Sequence, residues 1–142
     1  MDEKAHRSAW LDTNVILRFL LKDDLDLFRA VEPLFLQAEE GEMVIFIHPL
    51  IMAELVWTLE SFYEYPKSKI REVLEGLIGA QGVEVPEKEV IILALADYEE
   101  KNVDYIDAYL ANFALRRGPS TIYTLDSKHF SRLRGDIKLP TA

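Results

Sequence analysis

Met43-Val44-Ile45-Phe46-Ile47-His48-Pro49-Leu50 is the stretch that decides the fold. Residues 43–47 are continuously apolar and rich in β-branched side chains, the pattern of a strand covered on both faces in a parallel sheet. Pro49, with its fixed φ and missing N–H, suits the first position of a helix, which then runs from Leu50 to Phe62. The same alternation extends outward. Upstream, Ser8-Ala9-Trp10-Leu11 reads as a short buried strand, and beyond Asp12-Thr13-Asn14 the segment Val15 to Leu21 is helical. Asp23-Asp24 opens a helix over Leu25 to Glu39, in which Leu27, Ala30, Val31, Leu34, Phe35 and Ala38 keep the helical period, and Gly41 stops it. Downstream, Pro66 starts a helix carrying Ile70, Val73, Leu74, Leu77 and Ile78 on one face. Val83-Glu84-Val85-Pro86 is a brief strand or extended link. Helices follow over Lys88 to Lys101 and Tyr105 to Arg117, then a strand over Thr121 to Leu125. A short helix near Lys128 to Leu133 and an edge strand around Ile137 to Leu139 complete the order. Short apolar strands alternating with helices predict an α/β fold: one domain over residues 1–142, with a central parallel sheet of four to five short strands flanked by helices on both faces. In such sheets, sites form outside the carboxyl ends of the strands, where the topology reverses.

Composition narrows the class of protein. At 142 residues, 49% hydrophobic and 29% charged, the chain can bury a proper core and is neither disordered nor fibrous. It has no cysteine, which removes disulfides, thiolate nucleophiles and zinc–thiolate sites together. No apolar run approaches the ~20 residues a membrane span needs. The charged start Met1-Asp2-Glu3-Lys4 lacks the apolar stretch of a signal peptide, so the cytoplasm is the expected compartment. The formal charge of −9 argues against gripping nucleic acid by bulk electrostatics, but of 16 basic residues 6 lie from Ala108 onward, where only 2 of the 25 acidic ones do.

Most of the acidic residues belong on solvated faces. Four resist that reading. Asp12 ends the first strand and Asp126 the Thr121–Leu125 strand; either is also placed to cap the following helix. Asp107 sits in the otherwise apolar start Val103-Asp104-Tyr105-Ile106-Asp107-Ala108, where Asp104 is the natural cap. Glu54 interrupts Leu50-Ile51-Met52-Ala53-Glu54-Leu55-Val56-Trp57, with apolar neighbours a turn away on both sides and no lysine or arginine within a turn. An ionised carboxylate buried there would be costly unless paired or metal-bound. If all four meet at the sheet's carboxyl rim, each pair about 4 Å apart repels by ~4 kcal/mol at an effective dielectric of 20. Such a cluster takes up protons or holds a hard cation, and oxygen ligands suit Mg²⁺ or Mn²⁺. Metal-assisted chemistry on a phosphate ester follows.

Leu11-Asp12-Thr13-Asn14-Val15-Ile16-Leu17-Arg18-Phe19-Leu20-Leu21, Ala53-Glu54-Leu55-Val56-Trp57-Thr58-Leu59, Asp104-Tyr105-Ile106-Asp107-Ala108-Tyr109-Leu110-Ala111 and Thr124-Leu125-Asp126-Ser127-Lys128-His129-Phe130 together resemble the PIN domain, most closely the VapC-like toxin ribonucleases of prokaryotic toxin–antitoxin pairs. The resemblance implies that Asp12, Glu54, Asp107 and Asp126 are the catalytic acidic quartet, binding one or two Mg²⁺ or Mn²⁺ ions. It implies that Thr13 and Asn14 support the first aspartate, that Asp104 acts beside the third carboxylate, and that Thr124 places a hydroxyl near the fourth. It implies RNA cleavage leaving 5′-phosphate and 3′-hydroxyl ends. Two features depart from the family: Glu100-Lys101-Asn102-Val103 lacks the glycine often found before the third carboxylate, and Lys128-His129 stands at a variable pair.

Arg18, Arg116, Arg117, Lys128, Arg132 and Arg134 are the candidate contacts to RNA phosphates, although Arg116-Arg117 also suits a helix C-terminus. His129 reads as a surface histidine on a short helix rather than a general acid, His6 as a tail residue, and His48 as the residue before Pro49. Trp57, Phe62, Tyr63 and Tyr65 cluster around the link between two helices, either as core or as a partner surface. The resemblance implies that a cognate antitoxin clasps this region and that toxin subunits pair as homodimers. A PIN nuclease of RNA processing or decay, and a catalytically inactive PIN-fold module that binds protein, remain as alternatives. A phosphotransfer domain fits less well, because position 14 is Asn14 where an aspartate-nucleophile phosphatase needs a second aspartate.

Overall fold

The computed structural model describes residues 7–140, and among them the chain forms seven helices and five strands, all strand pairs parallel. The charged start at residues 1–4 and His6 lie outside the described residues. The chain groups into two compact units that divide at Lys88 and Glu89.

The first unit holds strands β1 (Ser8–Trp10), β2 (Val44–Phe46) and β3 (Val83–Glu84), and helices α1 (Thr13–Leu21), α2 (Leu25–Glu39), α3 (Pro49–Ser61) and α4 (Lys67–Ile78). Its sheet has the order β1-β2-β3, with Ser8 opposite Val44 and Ile45 opposite Val83. The order runs without reversal, so β1 is an edge strand of this sheet. The apolar run that decides the fold behaves as its pattern demands: Ile45 and Ile47 are fully buried. Around them Ile16, Met52, Leu55, Leu59, Ile70, Leu74 and Ile78 build the core. Phe19 of α1 stacks on Phe35 of α2 with ring centroids 3.8 Å apart. The end of α2 comes down onto the turn before β3, where Gly82 has φ +80° and a Cβ would meet the Ala38 carbonyl oxygen at 2.4 Å. Only glycine fits that close approach.

The second unit holds α5, which begins at the boundary residue and runs Lys88–Glu100, then α6 (Tyr105–Arg117), β4 (Thr121–Tyr123), α7 (Ser127–Phe130) and β5 (Asp136–Lys138). Here β4 and β5 form a separate two-stranded sheet, with Ile122 opposite Ile137. Where four to five strands are expected in one central sheet, five are present and they are hydrogen-bonded as three and two. Helices α5 and α6 are tied by polar bonds as well as by burial: the buried Asn112 donates its amide to Asp97 at 2.9 Å and to the Ala108 carbonyl at 2.8 Å. Asp97 is also paired with Lys101 at 3.3 Å. Between the two helices Asn102 takes φ +52°. This explains the missing glycine: asparagine is the other residue that adopts the left-handed region at little cost.

Candidate functional site

In the first unit, Leu11 continues the β1 ladder by donating its N–H to Phe46 O at 3.1 Å, and Asp12 then leaves the strand's carboxyl end. Asp12 is the N-cap of α1 with extended backbone (φ −79°, ψ 155°), but its carboxylate makes no capping hydrogen bond. Capping therefore does not account for this aspartate. It is exposed, as is Asn14 in the first turn of the helix. Between them Thr13 is buried, and its hydroxyl donates to the Glu54 carboxylate of α3. Thr13 thus serves the glutamate rather than the aspartate beside it in sequence, fixing α3 to the start of α1.

Glu54 itself departs from expectation. The apolar residues a turn away do not bury it, because the face of α3 that carries it is open: Leu50 and Trp57 are 73% and 66% exposed, and Glu54 is exposed with them. Helical period says which residues share a face, and α3 is apolar nearly all round, so the pattern could not say which face is covered. His48, as the N-cap of α3, accepts the Leu50 N–H on Nδ1 at 3.0 Å. Arg18 is largely buried and structurally engaged, donating to Asp23 at 3.0 Å and to the Tyr63 hydroxyl at 3.0 Å. Of the aromatics after it, Phe62 is 73% exposed, and Tyr63 and Tyr65 are half-buried.

In the second unit, β4 runs into Asp126 through Thr124, whose N–H extends the ladder to Lys138 O at 3.0 Å and whose hydroxyl accepts the Asp126 N–H at 2.9 Å. Asp126 does cap: its Oδ1 accepts the His129 N–H at 3.2 Å. Its other oxygen faces the His129 ring, 3.4 Å from Nδ1. The same Nδ1 lies 3.8 Å from Asp107 Oδ2, in the first turn of α6. Asp107, Asp126 and His129 each offer one ligand atom, and these atoms all lie within 4.8 Å of one another. Partial burial holds the Asp107 carboxyl above its ordinary pKa, the negative charges of Asp104 and Asp126 add to the shift, and His129 opposes it. Asp104, although it is the N-cap residue of α6, makes no side-chain cap bond. Asp104 at the cap and Asp107 in the first turn of α6 are therefore left to repel across one turn, the arrangement that a cation relieves.

His129 is what sequence reasoning missed. It is half-buried and stands between two carboxylates rather than on a free surface. The spacing Asp126 to His129 was a signal, since residues three apart on a helix share a face; the approach of Asp107 was not. Among the expected RNA contacts, Arg132 donates to the Asn102 carbonyl at 3.0 Å, tying the segment after α7 to the turn before α6. Arg116 lies 4.0 Å from Glu89, while Arg117, Lys128 and Arg134 are exposed. Tyr105, the first residue of α6, is buried with its hydroxyl unpartnered, and burial pushes its pKa up.

No helix among the described residues is long and apolar enough to cross a membrane. No curated protein matches the chain. The family model for the PIN domain matches residues 9–136. The match runs from within β1 to the first residue of β5 and takes in all the helices and all four singled-out carboxylates, and the chain belongs to the PIN domain family, a nuclease-type fold.

Proposed function

We propose that this chain is a divalent-metal-dependent endoribonuclease of the VapC-like branch, working in the cytoplasm as the toxin of a type II toxin–antitoxin pair. The observation that carries the reading is the Asp107–Asp126–His129 cluster, which brings metal-ligand atoms within 4.8 Å of one another in a chain that matches the PIN domain over residues 9–136. The donor set fits the group the family calls for: two carboxylates and an imidazole, with Asp107 held in a state that disfavours its bare charge. Asp12, Glu54, Asp107 and Asp126 are proposed as the acidic residues that serve Mg²⁺ or Mn²⁺. A divalent ion bound there supplies charge neutralisation and water activation for hydrolysis of a phosphodiester.

The protein's own groups position these carboxylates. Thr13 orients Glu54 through its hydroxyl, and Thr124 holds the Asp126 backbone while Asp126 Oδ1 accepts from His129 N–H. Asn14 and Asp104 are proposed to act beside Asp12 and Asp107. With no cysteine in the chain, a thiolate nucleophile has no part in the chemistry. Arg116, Arg117, Lys128 and Arg132, in the basic C-terminal quarter, and Arg18 through any donor capacity left by its ion pair, are the candidates to hold RNA phosphates. The exposed Trp57 and Phe62, with Tyr63 and Tyr65 behind them, are proposed as the surface an antitoxin clasps, in a homodimer of toxin chains.

The test is cleavage of RNA by the wild type and by Asp12→Ala, with Mg²⁺ and with EDTA. Cleavage that needs the metal and the aspartate is expected; undiminished cleavage in EDTA ends the reading. For the toxin assignment, a co-expressed small partner that suppresses cleavage is expected, with Trp57→Ala weakening the complex.

A further inference from the structure

We infer that His129 is itself a metal ligand, its Nδ1 joining Asp107 and Asp126 in a mixed nitrogen–oxygen set that favours first-row transition ions such as Mn²⁺ over Mg²⁺. The inference rests on the metal-site reading above and goes further by fixing which ion the site prefers and which residue sets that preference.

Geometry is the first argument. Ligands at about 2.1 Å from an octahedral ion stand about 3 Å apart when adjacent. Nδ1 stands 3.4 Å from Asp126 Oδ2 and 3.8 Å from Asp107 Oδ2, close to that spacing and longer than a good hydrogen bond to either. The ring is thus set back from two carboxylates at once, at the separation that ligands around a shared ion adopt.

The second argument is how the ring is held. Asp126 Oδ1 takes the His129 backbone N–H, which leaves Oδ2 turned toward Nδ1. Phe130, the next residue, is buried and anchors α7, and Ser131 Oγ donates to the Lys128 carbonyl at 2.9 Å. Arg132 then ties the segment to Asn102, two residues before Asp104. The arm carrying the imidazole is therefore fastened to the same turn that launches the Asp107 helix. A surface histidine with no task needs none of this fastening.

The third argument is chemical. A hard oxygen set accepts Mg²⁺ readily, whereas an imidazole nitrogen adds little for Mg²⁺ and progressively more along the first transition row. The opposing account is that His129 acts as a protonated counter-charge, occupying the carboxylates in place of a cation. The two accounts predict opposite effects of removing the ring.

The experiment titrates Mn²⁺ into the full chain, reading free Mn²⁺ by electron paramagnetic resonance, with Mg²⁺ as competitor. Bound Mn²⁺ is then examined for coupling to a nitrogen nucleus. The wild type is expected to show that coupling. His129→Gln should lose it and weaken Mn²⁺ binding by roughly tenfold or more, at least the effect of losing an outer partner, with Mg²⁺ binding little changed. His129→Asp, which restores an oxygen donor, should bind both ions with its preference shifted toward Mg²⁺. Absence of nitrogen coupling in the wild type, equal weakening of both ions, or tighter Mn²⁺ binding by His129→Gln overturns the inference. Asp107→Asn separates this failure from a deeper one. If Asp107→Asn loses both ions while the His129 variants leave the preference intact, only the role of His129 falls; if Asp107→Asn keeps both ions, the metal-site reading falls with it.

Discussion

The two units build their carboxylates by one plan with different supports. Each sends an aspartate off the carboxyl end of a parallel strand, Asp12 after β1 and Asp126 after β4, and each carries a second carboxylate on a helix, Glu54 on α3 and Asp107 on α6. In the first unit the support is neutral and comes from the core side: a buried threonine hydroxyl reaches Glu54, and Asp12 is left uncapped and exposed. In the second, the support is a titratable ring set between two acids, and Asp107 is held off its ordinary pKa by partial burial and like charge. The lesson is that a carboxylate can be held either by orientation through a neutral donor or in electrostatic frustration. This chain has one of each in its two units.

The largest expected effect tests whether the two arrangements serve one reaction. Asp12→Asn and Asp126→Asn should each lower the RNA cleavage rate by about 10²–10³-fold, the scale of removing one preorganised charge-stabilising group. An undiminished rate for one of the two variants, in single-turnover assays, would show that the other unit carries the chemistry alone. Next is the frame of the first unit. Gly82→Ala should destabilise by about 1–3 kcal/mol, since it adds a methyl against the Ala38 backbone at positive φ, as read by urea unfolding. Thr13→Val keeps the shape but removes the donor to Glu54, and should cost about 1–2 kcal/mol while lowering affinity for the metal. A value near zero would show that the hydroxyl only fills space.

The smallest effect has the opposite sign. A carboxyl whose pKa is raised by folding favours the protonated native state, so its contribution to stability is present in acid and lost as pH rises through its folded value. Asp107→Asn should therefore stabilise the metal-free protein at neutral pH, by less than about 1 kcal/mol for a partly solvated group. That advantage should vanish as pH falls below the ordinary carboxylate range. A destabilised Asp107→Asn at neutral pH would mean that the charge is satisfied without a cation, and would erase the contrast between the units.

What was legible in the sequence divides along the same line. Helix α2 at Leu25–Glu39 and helix α6 at Tyr105–Arg117 have the limits that their caps, period and terminating glycines dictate. The strands are shorter than their apolar runs: Ile47 lies beyond the end of β2, yet it is fully buried and still donates its N–H to Glu84 O at 3.0 Å. The four carboxylates stood out as residues with poor local explanations. Glu54 is exposed where the pattern points to burial, because a helix apolar nearly all round conceals which side faces solvent, and Leu50 and Trp57 lie on the open side. The bond from Thr13 to Glu54 spans 41 residues, and Asp107 is joined to His129 only by the path of the chain. No local pattern encodes either. Asn102 is the converse case: an apparent departure from the family that becomes intelligible once its left-handed backbone is seen.

The account comes down to whether these acids cut RNA by metal-assisted hydrolysis. Incubating the full chain with total RNA in Mn²⁺ and mapping the chemistry of every new end tests this most directly. The account predicts 5′-phosphate and 3′-hydroxyl ends that vanish with Asp12→Asn; cyclic phosphate ends, or the same ends from the variant, would contradict it.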